Sequence, residues 1–255
     1  MALKLYTYPA FGDHIVCFGL IKEMAKYRDQ IDYYTDPISE RSLNNYKRLY
    51  SSINNVRIVE EPIVMISDHE SSVKMDIHVT FSPEWYAKMG PWLKDPSLPY
   101  HCNIPQPDWF TEDMKAESAW YTFQGFPLHL KWDNFYFERD LNKEKEIYYD
   151  RLGLNDKDPF IFIHEDPARN YMINKKYISL NYRWVELAKL PEDISLLDML
   201  YVVEKSKEAH LFNTGFLVFI DVMNIRHDNL IYHKYCRDPF WDQPATRLNW
   251  KIIEK

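Results

Sequence analysis

Short apolar runs alternate with longer amphipathic ones, and this pattern, which occurs twice, most constrains the fold of this chain. "LKLYTY" leads through "PAFGD" into "HIVCFGLIKEMAKY", where Ile15, Phe18, Ile21, Met24 and Ala25 recur at helical spacing. "QIDYYTD", "ISERSLNNYKRLYSSI" and "VRIVE" then read as strand, polar helix and strand. The pattern returns near residue 158. "PFIFIHED" is the near-continuous apolar run expected of a strand buried on both faces. "ISLLDMLYVVEKSKEA" follows as an amphipathic helix, "AHLF" as a strand, "TGFLVFIDVMN" as a helix and "NLIYHKY" as a last strand. Strands and helices in this order form βαβ units on parallel sheets. The chain is therefore expected to be α/β, with two halves: 1–150 and 151–255.

Between the halves the period is lost. Prolines from Pro62 to Pro127 interrupt residues 62–137, and aromatic runs such as "FSPEWYAKMGPWL" and "KWDNFYF" concentrate there. Tyr, Phe and Trp make up 16% of the chain, and such rings stack on sugars or fill cores equally well. With 46% apolar residues the chain of 255 can bury a large core. A net charge of −7 with no basic block argues against a nucleic-acid partner. Three scattered cysteines give neither a zinc spacing nor a disulfide framework. No apolar run is long enough to span a membrane and no signal-peptide core precedes Pro9, so a cytoplasmic protein is expected.

Three stretches carry candidate chemistry. In Gly12-Asp13-His14, glycine permits a turn with positive φ and Asp13 stands at the mouth of a helix. Asp13 is either its N-cap or a base that takes a proton from an attacking hydroxyl, with His14 an auxiliary donor or a polar first-turn residue. In Asn213-Thr214-Gly215 a strand gives way to a helix whose free N–H groups and dipole suit a phosphate; a plain cap is the alternative. His164, Glu165, Asp166 and Arg169, with Lys175 and Lys176 beyond, follow the buried strand "FIFIH", where parallel sheets place ligands. Arg169 or one of the lysines would neutralise a leaving diphosphate; a solvated loop is the alternative. Asp156-Lys157-Asp158 precedes its strand and reads as a turn rather than a metal motif. No nucleophile elbow, phosphate-binding P-loop, dinucleotide fingerprint or paired-histidine metal motif occurs.

Together, the strand followed by Gly12-Asp13 and the late strand–turn–helix at Asn213-Thr214-Gly215 resemble heptosyltransferase-like glycosyltransferases of the GT-B type, with fucosyltransferase-like features. The likeness covers the first fifth of the chain and most of 158–225; Asn213 stands where that family carries an acid. It implies two Rossmann-like lobes facing across a cleft, an acceptor lobe at 1–150 containing the aromatic-rich irregular insert, and a donor lobe at 151–255. It implies a nucleotide-sugar donor, a glycan or other hydroxyl acceptor and inversion, with no metal and no other cofactor. Asp13 and His14 would be catalytic. Gly12, His164, Arg169, Lys175, Asn213, Thr214 and Gly215 would hold the donor. A non-catalytic nucleotide- or glycan-binding protein and a structural protein that packs its aromatic middle on a partner are the alternatives. The C-terminal tail, with His233, Tyr235, Arg237 and Trp241, is expected to pack back on the first half.

Overall fold

A computed structural model describes residues 3–6, 11–35, 40–60, 77–78, 116–123, 125–191, 193–236 and 244–254. Most of the aromatic-rich stretch 62–137, together with Arg237 and Trp241, lies outside the described residues. The chain divides into two compact units, Met1–Tyr136 and Phe137–Lys255. The division read from the sequence at residue 150 falls inside the helical segment that opens the second unit.

In the first unit, β1 (Leu3–Tyr6), α1 (Phe11–Ala25), β2 (Ile31–Thr35), α2 (Glu40–Tyr50), β3 (Val56–Glu60) and β4 (Ile77–His78) build a parallel sheet ordered β3-β2-β1-β4. Register pairs Leu5 with Tyr33 on one side and with Ile77 on the other. Helix α1 is buried well beyond the stripe read from its sequence, since Val16, Cys17 and Leu20 are enclosed along with Ile15, Phe18 and Ile21. Two later helices, α3 (Ala116–Phe123) and the single turn α4 (Leu130–Asp133), belong to the same unit. The Tyr121 hydroxyl inserts into the α1 ladder, donating to Val16 O at 2.7 Å and accepting from Leu20 N at 3.1 Å. Gly19 faces the Leu130 carbonyl so closely that a methyl there would overlap it. Here the missing side chain lets two backbones meet.

The second unit opens with α5 (Leu141–Glu146), which continues as a π-turn through Ile147–Arg151. Buried Glu144 anchors it by accepting from both the Arg139 guanidinium and Tyr201 N. Five parallel strands follow in the order β6-β5-β7-β8-β9: β5 (Phe160–His164), β6 (Arg183–Glu186), β7 (Glu208–Leu211), β8 (Leu230–His233) and β9 (Lys251–Ile253). Helix α6 (Leu200–Lys205) precedes β7, and α7 (Gly215–Val222) joins β7 to β8. The β5–β6 connection carries no α-helix. It is a strap of 3₁₀ turns at Pro167–Arg169 and Lys175–Tyr177, whose Ile173 and Ile178 pack on Ile161 and Ile163 of β5.

Strands β6 and β9 are not legible in the sequence. The tail adds β9 beside β8, and its residues 237–243 lie outside the described residues. Asp221 of α7 fixes it there, accepting from Arg247 N, Leu248 N and Trp250 Nε1 at 2.9–3.1 Å. Asp156-Lys157-Asp158 is a turn, as expected: Asn155 Oδ1 accepts from the N–H groups of Lys157 and Asp158. No helix among the described residues is long and apolar enough to cross a membrane.

Candidate functional site at the carboxyl edges of the two sheets

In the second unit, the chain leaves β5 for β6 on one side and later returns to β7 on the other. The crevice between the carboxyl ends of β5 and β7 is therefore the topological switch point, where open parallel sheets hold ligands. His164 ends β5, and Asn213-Thr214-Gly215 follows β7 after Phe212. These sequence-selected residues converge there. Thr214 Oγ1 lies 3.1 Å from His164 Nδ1.

Thr214 is the N-cap of α7, its oxygen accepting from Leu217 N at 3.3 Å. Gly215 is the first helical residue, so its N–H and that of Phe216 have no carbonyl a turn earlier to receive them. Asn213 is buried one position before the cap. His164 is half-buried between the rings of Phe212 and Phe216. Burial lowers its pKa to about 4; the Asp166 charge opposes this and the Arg169 charge adds to it. The imidazole is thus neutral at pH 7. If its Nδ1 accepts from Thr214, the Nε2–H remains to donate; in the other tautomer the Thr214 O–H does.

The two expected cations do not behave alike. Arg169 stays close to His164 but is exposed, with Nε 2.6 Å from Asp166 Oδ2 and its guanidinium over Tyr171. Lys175 turns away from Thr214. Its buried ammonium forms an ion pair with Glu165 at 2.7 Å, without hydrogen-bond geometry, sits over Trp184, and acts on His210 and His233 instead.

The first sheet has its own switch point at the carboxyl end of β1, between β1 and β4. Helix α1 starts there at Phe11, three residues earlier than the sequence suggests. Gly12 is consequently helical and makes no positive-φ turn, and Asp13 lies in the first turn rather than at the cap. Asp13 is half-buried, and its charge reaches Tyr46. Burial chiefly pushes the Tyr46 hydroxyl up to about 12; a hydrogen bond with Ser42 opposes this and Asp13 adds to it.

His14 is fully enclosed, stacked on Tyr46 at 3.7 Å between centroids and edge-on to Tyr33 and Tyr50. Its Nδ1 lies 3.1 Å from the Tyr33 hydroxyl, and the Tyr50 O–H donates to its carbonyl at 2.9 Å. Burial drives its pKa to about 3. A ring so placed has the surroundings of a core histidine.

No family model, curated protein or solved structure matches the chain. What the molecule does must be argued from its own residues. Among the described residues no group of three or more His, Cys, Asp or Glu is placed to hold a metal ion. One pairing is not visible in the sequence: His210 and His233, on neighbouring strands, share a hydrogen bond at 2.9 Å. Their separation of twenty-three residues hides the pair until the sheet register is known.

Proposed function

We propose that the chain is an inverting, metal-independent glycosyltransferase of the GT-B type, moving a sugar from a nucleotide-sugar donor to a hydroxyl acceptor. One observation carries this reading: each candidate set occupies the switch point of its own parallel sheet, Asp13 at the end of β1 and His164 with Thr214 at the ends of β5 and β7. In the proposed reaction the donor diphosphate rests on the N–H groups that open α7. The uncharged donor of the His164–Thr214 pair adds a further hydrogen bond. As the glycosidic bond breaks, the diphosphate takes the electron pair and the anomeric carbon gains positive charge. The acceptor oxygen attacks from the opposite face and gives its proton to the Asp13 carboxylate.

Asp13→Asn tests the assignment. Asn has the same shape and the first turn of α1 tolerates it, so the fold should survive while turnover falls about 10²–10⁴-fold. A folded variant with full turnover would remove Asp13 from the mechanism. A second reading, binding without transfer, draws on a specific observation: Arg169 and Lys175 are both committed to carboxylates rather than to the α7 start. Nucleoside diphosphate binding with no transfer by the wild-type chain would select it.

A further inference from the structure

The strap between β5 and β6 is held down by a polar chain as well as by its two isoleucines. Starting from the sheet, Glu208 Oε2 lies 3.1 Å from His210 Nε2, His210 Nδ1 lies 2.9 Å from His233 Nε2, and His233 Nδ1 lies 3.1 Å from the Tyr235 hydroxyl. The strap completes it, since Asn174 N donates to Tyr235 Oη at 2.8 Å. Both imidazoles are wholly inaccessible, and the Tyr177 ring of the strap packs on His233.

A carboxylate only accepts, so the chain of donors has one consistent direction. His210 carries its proton on Nε2 and accepts at Nδ1. His233 therefore carries its own on Nε2 and accepts at Nδ1 from Tyr235, whose oxygen receives Asn174 N–H. The pair can share one hydrogen between its facing nitrogens, never two. Other charged or titratable groups close to it are Lys175 and Glu165 of the strap, Lys251 of β9, and the Cys236 thiol, which donates to Met172 O of the strap.

We propose that this histidine pair is an acid-sensitive latch, holding residues 165–178 on the sheet near neutral pH and releasing them as the solution is acidified. The strap carries its own safeguard. Lys175 places a positive charge beside the pair only while the strap is closed, so opening removes the repulsion and exposes both rings to water together. In the closed form burial, followed for His233 by the His210 and Lys175 charges, holds both histidines below their ordinary range, His233 at about 3. Released, each titrates near 6.5. The open form therefore binds more protons between about pH 3 and 6.5, and acid favours it by up to about tenfold per pH unit through His233, with His210 acting in the same direction.

Amide hydrogen exchange of the full chain from pH 7 to 5, corrected for intrinsic rates, reads this directly. Protection across 165–178 should fall about tenfold or more per pH unit below pH 6, while β7 and β8 stay protected. His233→Gln should flatten the slope, leaving only the share of His210. Tyr235→Phe should expose the Asn174 amide at every pH and leave the slope intact, which keeps the test open if the glutamine variant does not fold. Flat protection from pH 7 to 5, or loss in step with β7 and β8, would overturn the latch.

Discussion

Replacing Asp221 with Ala tests how the tail is attached. The carboxylate is 1% exposed and lies in the last turn of α7, where the helix dipole disfavours an anion. It is tolerated there because three N–H groups of the tail converge on it, Arg247 N bridging both oxygens at 3.0 Å. Hydrogen bonds to a charged acceptor contribute about 1.5–3 kcal/mol each. Two corrections pull the sum down: the freed donors belong to exposed or half-buried residues that reach water, and removing a buried charge recovers its desolvation cost. A net loss of about 2–4 kcal/mol follows, equivalent to roughly 10 °C in the melting of a unit this size. Asp221→Asn should cost less than Ala, because its Oδ1 can still meet all three donors while its NH₂ faces only the bridging Arg247 N. Calorimetric melting gives the loss, and amide exchange at Ile252 and Ile253 shows whether β9 has come away. If the Ala variant melts within 2 °C of wild type with β9 still protected, Asp221 is not what holds the tail.

Buried Lys131 in the first unit lies 2.6 Å from Glu117. Glu117→Gln removes the carboxylate from a fully enclosed ammonium and should cost about 3–5 kcal/mol by chemical denaturation. The double replacement Glu117→Leu with Lys131→Met should recover most of it, and a single Gln variant within 1 kcal/mol of wild type would contradict the pairing. His14 makes the first unit acid-sensitive. It is neutral when folded down to about pH 3 and titrates near 6.5 when unfolded. Above pH 6.5 it contributes no slope. Below it the unfolded chain binds the extra proton, and stability falls by about 1.4 kcal/mol per unit. The urea midpoint between pH 6.5 and 5 should decline accordingly, and His14→Phe should flatten its share.

The alternation of elements was legible because each central strand is apolar enough to announce itself: Phe160–Ile163 are all buried, and so are Ile31 and Tyr33. Edge strands carry less signal. β9 exposes Lys251 and Ile252, and β6 exposes Arg183, so neither has the composition of a buried run. The start of α1 was misplaced because Gly12-Asp13 has the composition of a cap, whereas Phe11 gives no local sign of opening a helix. The Asn213-Thr214-Gly215 turn was legible because capping chemistry is local, and Thr214 does cap α7. Its meeting with His164 required the β5–β7 pairing. The surroundings of Lys175 are hidden in the sequence for the same reason. Its partners Glu165, His210 and His233 are neighbours only once the strap lies on the sheet.

The proposed function stands most directly on what binds where α7 begins. Calorimetric titration of the full chain with UDP, GDP, ADP and CMP, and then with the corresponding nucleotide sugars, measures this without requiring the acceptor. One nucleoside diphosphate should bind in the presence of EDTA. Thr214→Val, which loses the hydroxyl shared with His164 and Leu217, should weaken it at least tenfold while leaving the fold intact. Failure of every nucleotide to bind, or undiminished affinity in a folded Thr214→Val variant, would contradict a donor phosphate at this helix.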